Sequence, residues 1–528
     1  MIKILLTYNY GVSWYSEEGI YVKGKALLND TLLKEKSLAD YFKTVDSTSD
    51  FEEKVRLLNG LFAVIVHKGG EVFAAVDKLR SIPLLYITQE NDLFLSDDFY
   101  LLSSFASSHT KDEEVIRFDR SFGFTPGEHT LIKEIKQLQT GEYLYYNASR
   151  LEVKDYYTLP KINPITENEA EKKFLKIIEE TAERLITQIE NRPVALPLSG
   201  GFDSRLIGLM LKNKGKRDVT CFTFGNKNDK EALVSEKIAK QLGYDWFFID
   251  YKKYIGENYL DSSLFEEYVR FFSNGVSFPF LQEYFAGRYL KENKIFSEDT
   301  ILLPGHSGDM VGGSHLYPDM NYFKSKRKLA INLCNRSGDS IPLDKKEREQ
   351  LVRNITQYLN FNLNSGGVQL THQNHDEWNC RERQSKHIIN SSKAWNFFGY
   401  EFLLPLWDDE FVSFLLALPF SMRVNKNMYD KVLVSLFKQN NLFLEEETPP
   451  SAEQHRKNFL KKKIREDYPL INRIKPKKHF AHDFFYLKEL LQPMIDEMPD
   501  YPYNNGIGIL SEWYIRSVLN KNETKRND

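Results

Sequence analysis

The sequence predicts an α/β protein in two parts: a β-rich N-terminal unit over residues 1–160 and a doubly wound parallel-sheet unit over 165–520. Three observations carry this. Short runs of aromatic and β-branched residues, separated by turn residues, fill the first 160 positions. The TLPKINPIT stretch, with Pro160 and Pro164, then breaks the pattern, because proline cannot donate to a ladder and biases its predecessor toward extended backbone. Beyond it, compact apolar strands alternate with helices, as a parallel sheet requires.

Taken in order, LFAVIV from Leu61, EVFAAVD ending at Asp77, LLYI from Leu84 and EYLYYN ending at Asn147 read as strands. ENEAEKKFLKIIEETAERLITQIE reads as a long helix. Its Phe174, Ile177, Ile178, Thr181, Leu185 and Ile189 fall near helical spacing, and acidic residues occupy the first turn, where the dipole favours them. VALPL (Val194 to Leu198), DVTCFTF (Asp218 to Phe224), DWFFID (Asp245 to Asp250) and TILLPG (Thr300 to Gly305) read as buried strands. Helices SRLIGLMLKN and KEALVSEKIAKQLG separate the first three, so right-handed crossovers are expected to cover both faces. Ligands of such sheets bind beyond the carboxyl ends of the strands. From about Asn321 the composition is helical and aromatic, and KNETKRND reads as a frayed tail.

Composition narrows the function. With 71 Lys+Arg against 74 Asp+Glu and a formal charge of -3, a strongly basic nucleic-acid binder is excluded as the leading class. At 41% hydrophobic and 14% aromatic, 528 residues fill sizeable cores, which excludes global disorder. Apolar runs are too short for a membrane span and the N-terminus has no signal-peptide pattern, so a cytoplasmic protein is expected. Cys221, Cys334 and Cys380 lie far apart without C-x-x-C spacing, which argues against a disulfide framework or thiolate metal cage.

The chemistry concentrates in VALPLSGGFDSRLIGLML, where a strand ending at Leu198 runs through Ser199, Gly200, Gly201, Phe202, Asp203 and Ser204 into an amphipathic helix. Two glycines let successive N–H groups turn toward a phosphate, and the serines and helix N-terminus add donors and partial positive charge. A carboxylate beside phosphate is repulsive unless a cation lies between them, so Asp203 is a candidate Mg²⁺ ligand. A plain turn capped by Ser and Asp is the alternative. Neither G-x-x-x-x-G-K-S/T nor H-E-x-x-H occurs.

S-G-G-F-D-S resembles the pyrophosphate loop of the N-type ATP pyrophosphatases, which split ATP between its α and β phosphates. Further segments resemble the asparagine synthetase family, in the family's order over nearly the whole chain. PGHSGDMVGG, from Pro304 to Gly313, is similar to S-G-x-G-G-D-E-x-x-G-G. YEFLLPLWDDEF, with Glu401, Pro405 and Asp408, resembles E-x-R-x-P-F-L-D, and Lys431 falls where the family has K-x-x-L-R. LLNGLFAVIV, DKLRSIPLLYI and HTLIKEIKQLQTGEYL look like pieces of the family's glutaminase domain. The resemblance implies a degenerate N-terminal-nucleophile glutaminase-like β-sandwich over 1–160, followed by an adenine nucleotide α-hydrolase-like synthetase domain over 165–520.

Carried over residue by residue, the resemblance implies that Leu198, Ser199, Gly200, Gly201, Asp203, Ser204, Phe224, Gly225 and Gly305 bind ATP and that Asp203 and Asp309 hold Mg²⁺. Met310 departs from the family's Glu. Lys431 is implied to neutralise charge as an acyl-adenylate forms, with a solvated helical lysine as the alternative. His306 stands where relatives carry Glu or, in the β-lactam synthetases, Tyr; it either places or deprotonates the attacking amine or merely satisfies backbone groups. Glu401 needs a partner such as an arginine, and is either catalytic or structural. Phe224 is either an adenine contact or core.

The family's glutaminase uses an N-terminal Cys as nucleophile. Here residue 2 is Ile2 and no thiol precedes Cys221. The expected reaction is therefore an ATP-dependent, AMP-forming ligation of a carboxylate to a nitrogen nucleophile without the chain's own glutamine hydrolysis. Expected partners are a small-molecule, peptide or sugar carboxylate and an amine or ammonia, with a homodimer left open and neither membrane nor nucleic acid expected. The alternatives are a non-catalytic ATP-binding scaffold and a pyrophosphatase-loop enzyme that thiolates RNA. The basic stretch from Arg456 to Lys478 is either a solvated helix face or a site for an anionic substrate.

Overall fold

The computed structural model describes residues 1–148, 150–318, 325–359, 368–443 and 483–519. The N-terminal part stacks a seven-stranded sheet on a four-stranded one. Strand Asn59–Lys68 lies between antiparallel neighbours Ile20–Leu28 and Glu71–Val76, and Glu142–Asn147 continues the sheet. Both faces of this sheet are covered, which explains why LFAVIV is apolar at consecutive positions. Ala63 and Ile65 point toward Tyr86, Leu93 and Leu95 of the smaller sheet. Phe62, Val64 and Val66 point the other way, beneath Phe42 and Phe51 of helices Glu35–Phe42 and Thr48–Leu57. Just beyond strand Glu71–Val76, the buried Asp77 fastens the DKLRS turn by accepting the N–H groups of Phe62, Leu79 and Ser81.

The predicted long helix is Glu167–Ile189, started by a reciprocal capping box between Thr166 and Glu169. It leads into an all-parallel sheet with the order 245–250, 219–225, 194–197, 301–302, 401–402. The first of these strands in sequence, Val194–Pro197, is therefore central, and the chain winds outward first to one side and then to the other. Paired residues Leu196 and Cys221 share one face of the sheet, and Leu196 lies against Gly208 of helix Phe202–Asn213. Phe222, one residue on, faces the opposite side and meets Trp395 edge-on at 5.9 Å. Both faces are covered, as the alternation predicted.

The two parts share more than a linker. The far face of the four-stranded sheet, with Leu85, Ile87 and Phe94, continues into the core of the parallel-sheet unit. Helix Glu113–Phe122 buries Phe118 and Phe122 against Leu329, Leu333 and Ile355. It also packs on helix Gly506–Tyr514, with Ser511 Oγ donating to the Asp119 carbonyl at 3.3 Å. Asp408 caps helix Asp409–Leu416 while taking a bidentate pair of hydrogen bonds from Arg184 and one from Asn59. The basic stretch 456–478 and the tail 521–528 lie outside the described residues.

Candidate active site

The parallel sheet changes winding direction between strands Val194–Pro197 and Ile301–Leu302, so the loops leaving their carboxyl ends diverge around a crevice. One loop is 199–204 and the other 303–309, and glycine lets them touch. A Cβ on Gly305 would come within 2.7 Å of the Ser204 nitrogen, and one on Gly308 within 2.7 Å of the Asp203 carboxyl carbon. The contact joins the two acids: the Asp309 N–H donates to Asp203 Oδ2 at 2.8 Å, while the Tyr429 hydroxyl donates to Oδ1 at 2.8 Å. Asp203 is half-buried and the Asp309 side chain exposed. Burial, then the negative charge of Asp309, push Asp203 up to about 7, opposed by the two hydrogen bonds and by Lys426. Two adjoining carboxylates with few counter-charges suit a small divalent cation completed by phosphate oxygens.

The loop itself is held from inside. Ser199 and Ser204 hydroxyls lie 3.0 Å apart, the Gly201 N–H donates to Ser199 Oγ, and the fully buried Arg205 donates to the Gly200 and Leu442 carbonyls. Helix Phe202–Asn213 begins with Gly201 at its cap and no side-chain capping bond, so its first-turn donors and dipole are available to an anion.

His306 sits in the second loop, with Nε2 3.3 Å from Ser391 Oγ, and burial pushes it down to about 4, leaving a neutral imidazole. Phe224 and Gly225 end their strand at the same carboxyl edge. Phe224 packs on Tyr251 and Phe485, and the Asn226 N–H donates to the Phe484 carbonyl, so the 483–486 segment lines this edge. Leu198 is buried at the root of the loop.

Two expected catalytic residues lie elsewhere. Lys431 stands on the outer side of helix Asn427–Gln439, half-exposed and paired with Glu167 and Glu171. Tyr429, two positions earlier, faces Asp203, and residues two apart point to nearly opposite sides of a helix. Glu401 opens the edge strand Glu401–Phe402 at the amino end of the sheet, across from the crevice. There it pairs with Lys25 at 2.7 Å and with Arg192. Burial would raise its pKa, but the two cations hold it below the ordinary value, and they supply the partners its burial requires. Met310, in place of the family's Glu, is buried.

The crevice has cations that the sequence reading missed. Arg383, half-buried on the π-helical segment Asn379–Ile388, faces the charge of Asp309 and has no ion-pair partner among the described residues. Its neighbour Gln384 accepts from Ser307 Oγ at 2.5 Å, which fixes this helix against the second loop. Lys426, whose charge reaches Asp203, is the second. All three cysteines are buried, and burial pushes Cys221 up to about 12 and Cys334 to about 11, so neither offers a thiolate.

A profile of the family described as asparagine synthase matches residues 180–447, and one described as a glutamine amidotransferase domain matches 48–157. The chain is 24% identical over 275 residues to a putative glutamine-hydrolyzing asparagine synthetase 2 of Methanocaldococcus jannaschii, covering 50% of this chain and 51% of that protein. It is 24% identical over 362 residues to the microcin J25-processing protein McjC of Escherichia coli, covering 65% and 63%. It is 22% identical over 408 residues to a glutamine-hydrolyzing asparagine synthetase of Mesocricetus auratus, covering 75% and 63%. The matches thus span between 51% and 63% of these relatives' own lengths.

Proposed function

The chain belongs to the asparagine synthase family, and from that premise we propose that it is an ATP-dependent, AMP-forming carbon–nitrogen ligase. In this reading, a substrate carboxylate attacks the α-phosphorus of ATP, pyrophosphate leaves, and a nitrogen nucleophile then displaces AMP from the acyl-adenylate to give an amide. The observation that carries it is the 2.8 Å bond from the Asp309 N–H to Asp203, which joins two acids beneath a glycine loop at the switch point of the sheet. Loop 199–204 and the start of helix Phe202–Asn213 would hold the phosphates, and Asp203 and Asp309 a Mg²⁺ ion. When bound, the metal offsets charge on the departing pyrophosphate. Arg383 and Lys426 supply fixed positive charge in the place expected of Lys431, where it favours the adenylation transition state. His306 faces the amine. With no cysteine before Cys221, the N-terminal unit does not generate ammonia by a thiol route; it shapes the cleft, and the amine is ammonia or a substrate amino group. The protein is proposed to act in the cytoplasm.

Lys431 being engaged outside the cleft favours a second reading, an ATP-binding scaffold without turnover. Pyrophosphate release from ATP, screened over amino-acid, peptide and sugar carboxylates with ammonia present, separates the two. The ligase releases pyrophosphate with at least one carboxylate and Asp203→Asn abolishes it; binding of ATP with no release under any condition establishes the scaffold.

A further inference from the structure

Tyr429 touches both crevice loops. It stands on helix Asn427–Gln439 and is fully buried. Its ring lies against the short helix Gly308–Gly312: a Cβ on Gly312 would come within 2.7 Å of the ring, and one on Gly308 within 2.5 Å of the hydroxyl. Phe174 meets the same ring, with 5.9 Å between centroids. From this seat the hydroxyl donates to Asp203 Oδ1 at 2.8 Å. The ring thus contacts the second loop while the oxygen holds the first.

A buried tyrosine needs a partner for its hydroxyl, and a backbone carbonyl suffices. Tyr259 donates to the Leu490 carbonyl at 2.6 Å and Tyr254 to that of Phe285 at 3.2 Å. Tyr429 instead directs its proton to one of the two crevice acids. The Asp309 N–H donates to the other oxygen, Oδ2, at 2.8 Å. Asp203 is therefore held at both oxygens, which fixes the plane of its carboxylate and leaves lone pairs on each. Among the described residues, the Asp309 carboxylate accepts no hydrogen bond and makes no ion pair. The pair consists of one acid fixed at its oxygens and one anchored only through its backbone.

We propose that Tyr429 is a positioning residue that makes this acid pair prefer Mg²⁺ to Ca²⁺; this deepens the ligase reading and rests on its metal site. Mg²⁺ demands near-octahedral geometry at about 2.1 Å, whereas Ca²⁺ takes about six to eight oxygens at about 2.3–2.6 Å in flexible arrangements. A carboxylate held in one plane suits the first ion and gives the second nothing that it needs. Without the hydroxyl, Asp203 would turn about its side-chain bonds, a freedom that weakens an octahedral site and matters little to a flexible one. Tyr429→Phe keeps the ring that packs on Phe174 and Gly312, so the substitution removes the hydrogen bond and spares the loop contact.

Calorimetric titration of the full chain with the α,β-methylene analogue of ATP, in Mg²⁺, in Ca²⁺ and in EDTA, tests this by binding alone. Pyrophosphate release judges the ligase reading separately. In the native chain, Mg²⁺ is expected to support binding of the analogue at least about tenfold better than Ca²⁺. In Tyr429→Phe, the affinity in Mg²⁺ is expected to fall about tenfold or more, the usual cost of removing a hydrogen-bond partner of a metal ligand, while the affinities in Ca²⁺ and in EDTA change less than about threefold. A uniform loss under all three conditions, as a merely structural tyrosine would give, overturns the proposal, and so does an unchanged affinity in Mg²⁺. Equal support by the two ions in the native chain overturns it without any variant, which decides the matter should Tyr429→Phe not fold.

Discussion

Asp203 and Asp309 were legible because each sits in a short loop directly after a strand, so local sequence fixes both the edge of the sheet and the side of the crevice. Lys431 lies where the alternative of a solvated helical lysine expects it: Tyr429, Val432, Leu433 and Phe437 form a buried stripe at helical spacing that leaves position 431 outside. Arg383 left no local signal, because only the folded chain brings its helix against the 304–309 loop. Arg383→Met is expected to lower pyrophosphate release about 10²-fold or more, the usual cost of removing a preorganised charge, while Lys431→Met changes it less than about threefold. The reverse order of effects would restore Lys431 to the site. A stability prediction concerns Asp119, which is fully buried and raised to about 7 by burial. The folded state holds this proton while the unfolded chain releases it near pH 4, so the contribution is full below that value and is lost as pH rises through about 7. Asp119→Asn should therefore gain on the native protein between pH 5 and pH 8, by about 1–3 kcal/mol, in thermal melts.

Among the elements, every strand named from the sequence is present; most are buried on both faces and so are apolar along their length, while the edge strand Asp245–Asp250 is only partly covered. The fifth parallel strand was not legible: Glu401–Phe402 has two residues, and its register with Ile301–Leu302 comes from the sheet rather than from its own pattern. The arginine partner expected for Glu401 is present as Arg192, but its place at the amino edge was not legible, because it follows from the direction of this short strand. The crevice depends on glycine at the loop contact. Gly305→Ala would drive a Cβ to 2.7 Å from the Ser204 backbone nitrogen. It should destabilise the protein by about 1–3 kcal/mol and weaken nucleotide binding more than that by spreading the two loops. Calorimetric titration with a non-hydrolysable ATP analogue measures this; unchanged affinity would mean that the nucleotide does not lie across the contact.

For the whole molecule, two units were legible but their interpenetration was not, because the contacts join residues far apart in sequence. Arg184 and Asn59 meet at Asp408, and the fully buried Lys386 reaches the Thr125 and Gly127 carbonyls while paired with Glu382 at 2.8 Å. Shared burial on this scale couples the units, so scanning calorimetry should show one unfolding transition rather than two. Lys386→Met leaves Glu382 charged and without its cation in the interior. It should lower stability by about 3–5 kcal/mol, moving the entire transition; a shift confined to one of two resolved transitions would show that the units unfold separately.

The packing of helix Gly506–Tyr514 on helix Glu113–Phe122 also bears on how the polypeptide is made. The helix that completes this surface is synthesised 392 residues after the Asp119 it meets. Until that helix is made, Asp119 and Arg120 lack Ser511 and Glu512, the partners that hold them in the folded chain.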